Sequence, residues 1–251
     1  MAACCDDADC AGGSVCRDGA CQTWCAQQTR PSGVAATDYA CLDADATFPG
    51  AWSVQRAGAG TLAASTTRAR SAPASVAATV SSAGSTSAPD TARLSWSATG
   101  STPITSLSVS AQISPAAVSG LLSFDVDLMC LNLGDTTICL SYGNHTVVSG
   151  YQQTWDNYTG LYIHYMYSGP GAFLPQSCAV SGNLANNVWN AVTLSWADKA
   201  QITVAINGSS TTPCTIGMEQ DTVGVFQVGM DTHYGVDWSI YYDDVVASVK
   251  R

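Results

Sequence analysis

The sequence predicts an all-β protein in which a small disulfide-rich module precedes one large two-layer antiparallel sandwich. From about residue 45 onward, short runs alternate between apolar and polar side chains, the pattern of half-buried strands. No amphipathic stretch long enough for a typical helix interrupts them. Eleven cysteines, six of them between Cys4 and Cys25, indicate a disulfide framework.

The alternation sets the predicted domain boundaries. Residues 1–30 form the cysteine-rich module, which is too short to fold without disulfides. Residues 31–44 begin with a polar stretch rich in Pro, Ser and Gly and are predicted to be a linker. Residues 45–251 form the sandwich, with runs such as 105–113, 191–196 and 201–206 as its strands.

The composition limits the partners. Charged residues make up 11% of the chain and its net charge is -10, which repels phosphate backbones and anionic lipid surfaces. We therefore expect no nucleic-acid partner. No apolar run reaches the roughly 18 residues that span a bilayer, so we expect membrane attachment only through a lipid anchor. The oligomeric state stays open.

The cysteine count indicates an oxidising compartment, either extracellular or at the cell surface. Eleven is an odd number, and Ala2 and Ala3 before Cys4 resemble the end of a bacterial lipoprotein signal. On that interpretation Cys4 carries lipid and the protein is an outer-membrane lipoprotein. Alternatively, Met1 is an artificial start and one cysteine is free or intermolecular.

Ten cysteines then remain for disulfides. The spacing of Cys130 and Cys139 suits a bridge across a hairpin, which would leave Cys178 and Cys214 for each other. Cys41 would tie the amino-terminal module to the sandwich. The pairing within the module is open among Cys5, Cys10, Cys16, Cys21 and Cys25.

The order of landmarks from residue 41 to residue 246 resembles the concanavalin A-like, or laminin-G-like, jelly rolls of bacterial surface lipoproteins. The matching stretches are Cys41-Leu-Asp-Ala-Asp45 before Trp52, Ser71-Ala-Pro-Ala-Ser75, Val188-Trp-Asn-Ala-Val-Thr-Leu194, Ile202-Thr-Val-Ala-Ile-Asn-Gly208, Val228-Gly229 and Trp238-Ser-Ile-Tyr-Tyr-Asp-Asp-Val-Val246. The resemblance implies a two-sheet jelly roll. Its members include lectins, carbohydrate-binding modules, glycosidases and lyases, so the fold alone does not define the activity.

No recognisable catalytic constellation is present, and we expect no enzyme. Glycosidases need two carboxylates beside the scissile bond, whereas the chain has a single glutamate, Glu219. Asp125 and Asp127 alternate on one strand but are best interpreted as a solvated face. A lyase acting on uronates needs basic groups around residues such as His164, and the sequence offers few.

A calcium site is predicted where the first and last strands of a jelly roll meet. Asp45 and Asp243 would supply carboxylate oxygens there, the ligands that Ca²⁺ prefers. The alternative is that Asp243 accepts hydrogen bonds from neighbouring backbone amides. The calcium would be structural, and we expect no other cofactor.

Aromatic and amide residues that suit sugar binding cluster in one stretch. Aromatic rings stack on the apolar faces of sugars, and amides and imidazoles bind their hydroxyls. The stretch 151–160, interpreted as a loop, and the strand after it supply the predicted ligand-binding residues Tyr151, Trp155, Asn157, Tyr158, Tyr162 and His164.

We therefore predict a non-catalytic extracellular or cell-surface domain that binds carbohydrate, with a glycan or another cell-surface component as its partner. The alternatives are a structural or assembly subunit of the cell envelope or an extracellular filament, and a divergent polysaccharide hydrolase or lyase.

Overall fold

The computed structural model describes residues 15–17, 20–42, 51–71, 74–81, 90–117, 124–147, 156–167, 176–197, 201–216, 221–232 and 237–251. Within these ranges the chain is almost entirely extended. Its elements are β1 (Val15–Arg17), β2 (Ala20–Gln22), α1 (Trp24–Gln27), a 3₁₀ turn (Ala36–Asp38), β3 (Tyr39–Leu42), β4 (Ser53–Ala57), β5 (Thr61–Ser65), β6 (Ser75–Val80), β7 (Asp90–Thr99), β8 (Ser106–Pro115), β9 (Phe124–Leu133), β10 (Thr136–Val147), β11 (Asp156–Tyr167), β12 (Gln176–Ala179), β13 (Asn190–Ala197), β14 (Gln201–Ile206), β15 (Ser209–Thr215), β16 (Val223–Thr232) and β17 (Trp238–Lys250).

Two antiparallel sheets form the predicted sandwich. The seven-stranded sheet has the order β12-β11-β10-β9-β16-β7-β4. The eight-stranded sheet has the order β15-β14-β13-β8-β17-β6-β5, with β3 also paired to β17. Because alternate side chains of a strand point to opposite faces, each sheet buries one face against the other and turns its second face outward. The all-β, two-sheet prediction is confirmed.

The core is filled by apolar side chains from both sheets. Leu94, Leu131 and Phe226 of the seven-stranded sheet and Val109 and Leu194 of the eight-stranded sheet are at most 1% exposed. Burying side chains of this size stabilises the fold by about 1.5–3 kcal/mol each.

Tryptophans contribute much of this packing. The ring centroids of Trp96 and Phe226 lie 5.3 Å apart and those of Trp52 and Trp96 lie 6.3 Å apart. Trp196 and Trp238 are also buried, and their indole nitrogens donate to backbone carbonyl groups. Trp189, by contrast, is only half-buried.

The sandwich begins before residue 45. Residues 39–42, which lie inside the predicted linker, form strand β3, and β3 pairs with β17 over Val245–Ser248. The buried positions Ala40 and Leu42 alternate with the half-buried Tyr39 and Cys41, so this short strand contributes to the core. The linker is therefore shorter than 31–44.

Three disulfides join separate parts of the structure. Cys25–Cys41 links α1 to β3, and Cys130–Cys139 links neighbouring strands β9 and β10. Cys178–Cys214 joins β12 to β15, the edge strands of the two sheets on one side of the sandwich. Cys16 and Cys21, on β1 and β2, are also disulfide-bonded, whereas Cys4, Cys5 and Cys10 lie outside the described residues.

The extracellular interpretation rests on these disulfides, which persist in oxidising compartments. In the part of the chain that the structure describes, no helix has the length and apolarity to cross a membrane.

Candidate functional site

The outward face of the seven-stranded sheet carries a polar groove of about 440 Å³. We call it the sheet groove, and it is lined by Arg93, Asp127, Cys130, Asn132, Gly134, Thr137, Cys139, His164, Met166, Gln227 and Asp231. Apart from Gly134, which lies in the turn between β9 and β10, these residues come from five neighbouring strands, β7, β16, β9, β10 and β11. Because the lining belongs to paired strands, its geometry is fixed by the hydrogen-bond ladder.

Strand alternation places polar groups in the groove. Gln227 lies between the buried Phe226 and Val228, and Asn132 lies between the buried Leu131 and Leu133. The same backbone alternation therefore fills the core on one side and presents amides on the other. The Asn132 side-chain oxygen is buried and has no hydrogen-bond partner within the described structure, so a ligand hydroxyl would satisfy it.

The strand register aligns the lining in rows across the sheet. Gln227 pairs with Cys130, Cys130 with Cys139, and Cys139 with His164. Directly paired residues on one face have Cβ atoms about 4.5–5.5 Å apart. This row therefore brings an amide, a disulfide and an imidazole side by side along the floor of the groove.

A second row carries the acidic groups. Asp231 pairs with Asp127 and Asp127 with Ser141, whose hydroxyl donates to the Asp127 carboxylate. Ser141 in turn pairs with Tyr162. Asp127, which the sequence suggests is part of a solvated face, is half-buried and lines the groove.

Arg93 lies at one side of the groove and is held by its neighbours. Its Nη1 donates to Asp231 Oδ2 at 2.7 Å, and its Nε donates to Gln55 Oε1 at 2.8 Å. Thr91 Oγ1 donates to the other Asp231 oxygen at 3.1 Å. The guanidinium is thus both charge-paired and oriented by β4 and β16.

The close approach of strands β7 and β16 beside Arg93 requires a glycine at position 229. Gly229 pairs with Arg93 and has φ +140° at the β-bulge that precedes Asp231. A Cβ at this position would lie 2.4 Å from both Ala92 O and Arg93 Cα. Only glycine permits that backbone approach.

One group of side chains in the groove has the spacing of metal ligands. Within the described residues, the ligand atoms of Asp127, Cys130 and Cys139 lie within 4.8 Å of one another. The two sulfurs are bonded to each other. Since metals bind the thiolate, this group offers only one ligand while the disulfide is intact.

The Asp243 carboxylate accepts hydrogen bonds from backbone amides. This is the role that the sequence analysis left open as the alternative to a calcium ligand. Arg70 N and Ser71 N donate to its Oδ2 at 2.8 and 3.1 Å, and Asp244 N donates to its Oδ1 at 2.9 Å. The residue lies where the partner of β17 changes from β6 to β3, so its carboxylate satisfies amides at that junction. Asp45, its predicted calcium partner, lies outside the described residues.

The other predicted ligand-binding residues have separate positions. His164 lines the sheet groove, whereas Tyr162, on the same face, is 1% exposed and leaves no ring surface for stacking. Residues 156–160 are not a loop, because they extend β11 and pair with the end of β10. Asn157 and Tyr158 belong to this strand, although their side chains lie outside the description, as do Tyr151 and Trp155.

Sequence reasoning did not assign Arg93, Asn132 and Gln227 to the site. Each is a polar residue between two apolar ones, a local alternation that would give the outward direction of the side chain once a strand is assigned there. The signal does not show which distant strand lies beside it.

A second cleft, of about 350 Å³, lies between the segment around α1 and the outward face of the eight-stranded sheet. Trp24, Tyr39, Gln112 and Thr193 are among its lining residues. Burial raises the pKa of Tyr39. One wall of this cleft is a short segment that is attached to the sandwich through Cys25–Cys41. The sheet groove, in contrast, is formed by the strands of one sheet.

Comparison with known proteins shows the fold. No protein-family model matches the sequence, and a search of curated proteins also finds no match. Among solved structures, an endo-β-1,4-glucuronan lyase from the fungus Trichoderma reesei matches with a TM-score of 0.55 and 11% identity, over 78% of this chain and 90% of that one. The cellulose induced protein Cip1 matches with a TM-score of 0.51 and 15% identity, over 80% and 93% of the two chains. The chain therefore has the two-sheet sandwich fold of these proteins.

Proposed function

We propose that this chain is a non-catalytic extracellular domain that binds carbohydrate in the sheet groove. The observation that carries the proposal is the density of hydrogen-bonding groups on one rigid face. Asn132, Gln227, His164 and the Asp127 carboxylate line it together. Sugars are recognised by such groups because each hydroxyl both donates and accepts a hydrogen bond.

The fold supports the same proposal. One protein that shares the sandwich is named for its action on glucuronan and the other for its induction by cellulose. Strand register also favours a linear ligand, because the row from Gln227 to His164 crosses four neighbouring strands, which are spaced about 4.8 Å apart. The row is thus long enough to contact more than one sugar unit.

The experiment is a glycan-array screen followed by calorimetric titration of the best ligand. We expect Gln227→Ala to weaken binding about tenfold, since a lost hydrogen bond that leaves a buried polar partner costs about 1–3 kcal/mol. Gln112→Ala is the matched control, because Gln112 lies on the outward face of the other sheet. If Gln227→Ala and Gln112→Ala bound the glycan with equal affinity, the glycan would not be bound through Gln227 in the sheet groove. Absence of binding to every glycan would favour the structural-subunit alternative.

A second candidate function, hydrolysis of a glycosidic bond, is favoured by one observation. Asp127 and Asp231 are cross-strand neighbours that both line the groove, and glycosidases use two carboxyl groups about 5–9.5 Å apart. Against it, Asp231 pairs with Arg93 and Asp127 accepts the Ser141 hydroxyl, whereas the general acid of a glycosidase must carry a proton. Release of reducing ends from a bound oligosaccharide by the wild type, abolished by Asp127→Asn, would establish hydrolysis.

A further inference from the structure

The charged side chains of the sheet groove sum to a negative value. Its lining contains one guanidinium, that of Arg93, and two carboxylates, those of Asp127 and Asp231. Above the ordinary histidine pKa of about 6.5, where His164 counts as neutral, one net negative charge remains. A ligand carboxylate placed in the groove would therefore meet like charge at short range.

Arg93 is poorly placed to offset that repulsion. Its guanidinium already binds Asp231 at 2.7 Å and Gln55 at 2.8 Å, and its side chain is 23% exposed. To bind a uronate it would have to share or break the bond to Asp231. Breaking it would leave that half-buried carboxylate without its counter-charge.

The segments that connect the strands of this sheet contain no lysine or arginine. The sequence contains nine Lys and Arg residues. None lies in the connecting segments 43–50, 82–89, 118–123, 148–155, 168–175, 217–220 or 233–236, which flank the strands of the seven-stranded sheet. Arg56 on β4 donates to the Leu62 carbonyl of the other sheet. Among the described lining residues, Arg93 is therefore the one side chain with a permanent positive charge.

From these charges we propose that the sheet groove selects glycans without carboxylates: neutral polymers, or polymers of amino sugars. The proposal rests on the proposed function, since it names the class of glycan bound at the same site. It separates this chain from the glucuronan lyase that shares its fold, because glucuronan carries a carboxylate on every sugar. An amino-sugar polymer would gain from Asp127 and Asp231, whereas a neutral one would rely on the amides.

The test compares oligosaccharides that share a backbone and differ in charge. Cello-oligosaccharides, chitosan oligosaccharides and glucuronan oligosaccharides are all β-1,4-linked and of gluco configuration; manno- and mannuronan oligosaccharides form a second matched pair. Titrations run at low ionic strength, where screening is weak. We expect the neutral member of at least one pair to bind about tenfold or more tightly than its uronate counterpart. Uronate binding equal to or tighter than neutral binding would overturn the proposed selectivity while leaving glycan binding intact. Absence of binding to all five ligands would overturn the proposed function itself.

A variant tests the role assigned to Arg93. Asp231→Asn retains an oxygen for Thr91 but removes the carboxylate that pairs with the guanidinium. We expect it to raise the ratio of uronate affinity to neutral-glycan affinity about tenfold. Asp135→Asn, which removes an exposed carboxylate outside the lining, is the charge-matched control and should raise the ratio by much less, because it does not free the Arg93 guanidinium. An equal ratio in wild type and Asp231→Asn would show that the Arg93–Asp231 pair does not set the selectivity.

Discussion

Replacing Asp243 by asparagine tests how the structure uses its buried carboxylate. The side chain is 2% exposed and accepts hydrogen bonds from the amides of Arg70, Ser71 and Asp244. Burial raises the pKa of Asp243 from 3.8 to about 6; the backbone amides act against this, and the neighbouring Asp244 carboxylate adds to it. Asparagine keeps the shape of the side chain and removes the titration.

The difference between the pKa of Asp243 in the folded and unfolded chains determines how its titration changes the free energy of unfolding. The folded chain holds the Asp243 proton up to a higher pH than the unfolded chain does. Protonation therefore stabilises the fold fully below pH 3.8, and this stabilisation is lost as the pH rises through about 6. At about 1.4 kcal/mol per pKa unit, the loss amounts to about 3 kcal/mol.

Urea unfolding between pH 3.5 and pH 7.5 measures this loss. We expect the free energy of unfolding of the wild type to fall by about 3 kcal/mol relative to that of Asp243→Asn as the pH rises across this range. Asp135→Asn, which also removes one carboxylate but at an exposed turn, is the charge-matched control. Parallel profiles for the wild type and Asp243→Asn would show that the pKa of Asp243 is not raised in the folded chain.

The same samples test the calcium site that the sequence predicts at Asp45 and Asp243. If Ca²⁺ binds the ionised Asp243, adding it at pH 7 stabilises the wild type by mass action and leaves Asp243→Asn unaffected. If the carboxylate serves only the backbone amides, calcium leaves both midpoints unchanged.

Three further predictions concern the framework of the groove and the sandwich. Gly229→Ala should lower the free energy of unfolding by about 2–3 kcal/mol and weaken glycan binding, because its Cβ would displace the Arg93 backbone; unchanged stability in urea would contradict this. Tyr242→Phe should cost about 1–2 kcal/mol, since the buried hydroxyl donates to Gly229 O at 3.0 Å across the core, and thermal unfolding would detect it. Replacing Cys178 and Cys214 by serine should cost about 4 kcal/mol, against about 2.5 kcal/mol for the Cys130–Cys139 pair, because the sequence separations are 36 and 9 residues; an inverted order in urea would refute the loop-length argument.

Much of the fold could be predicted because its determinants are local. Runs such as 191–196 and 201–206 alternate between polar and apolar side chains, and they form β13 and β14. Polar strand segments were harder to predict: residues 156–160 resemble a loop, yet their backbone pairs with the equally polar end of β10. At the linker, β3 has only four residues, which is too few for alternation to stand out.

The site was harder to predict than the fold because pairing between distant strands creates it. Alternation indicates that Gln227 and His164 point outward, but only the strand order places β16, β9, β10 and β11 side by side. Arg93 likewise meets Asp231 through the pairing of β7 with β16. Aromatic content favoured residues 151–160, whereas the lining of the sheet groove contains no phenylalanine, tyrosine or tryptophan among its described residues and includes two amides and three charged groups.

Chemical-shift mapping shows directly whether glycan binds in the sheet groove. An isotopically labelled sample is titrated with the tightest-binding neutral oligosaccharide, and backbone amide shifts are followed. We expect the largest changes at Arg93, Cys130, Asn132, His164 and Gln227, with the Gln112 amide of the second cleft unmoved. Changes concentrated around Trp24 and Gln112, with the groove amides unmoved, would contradict this expectation.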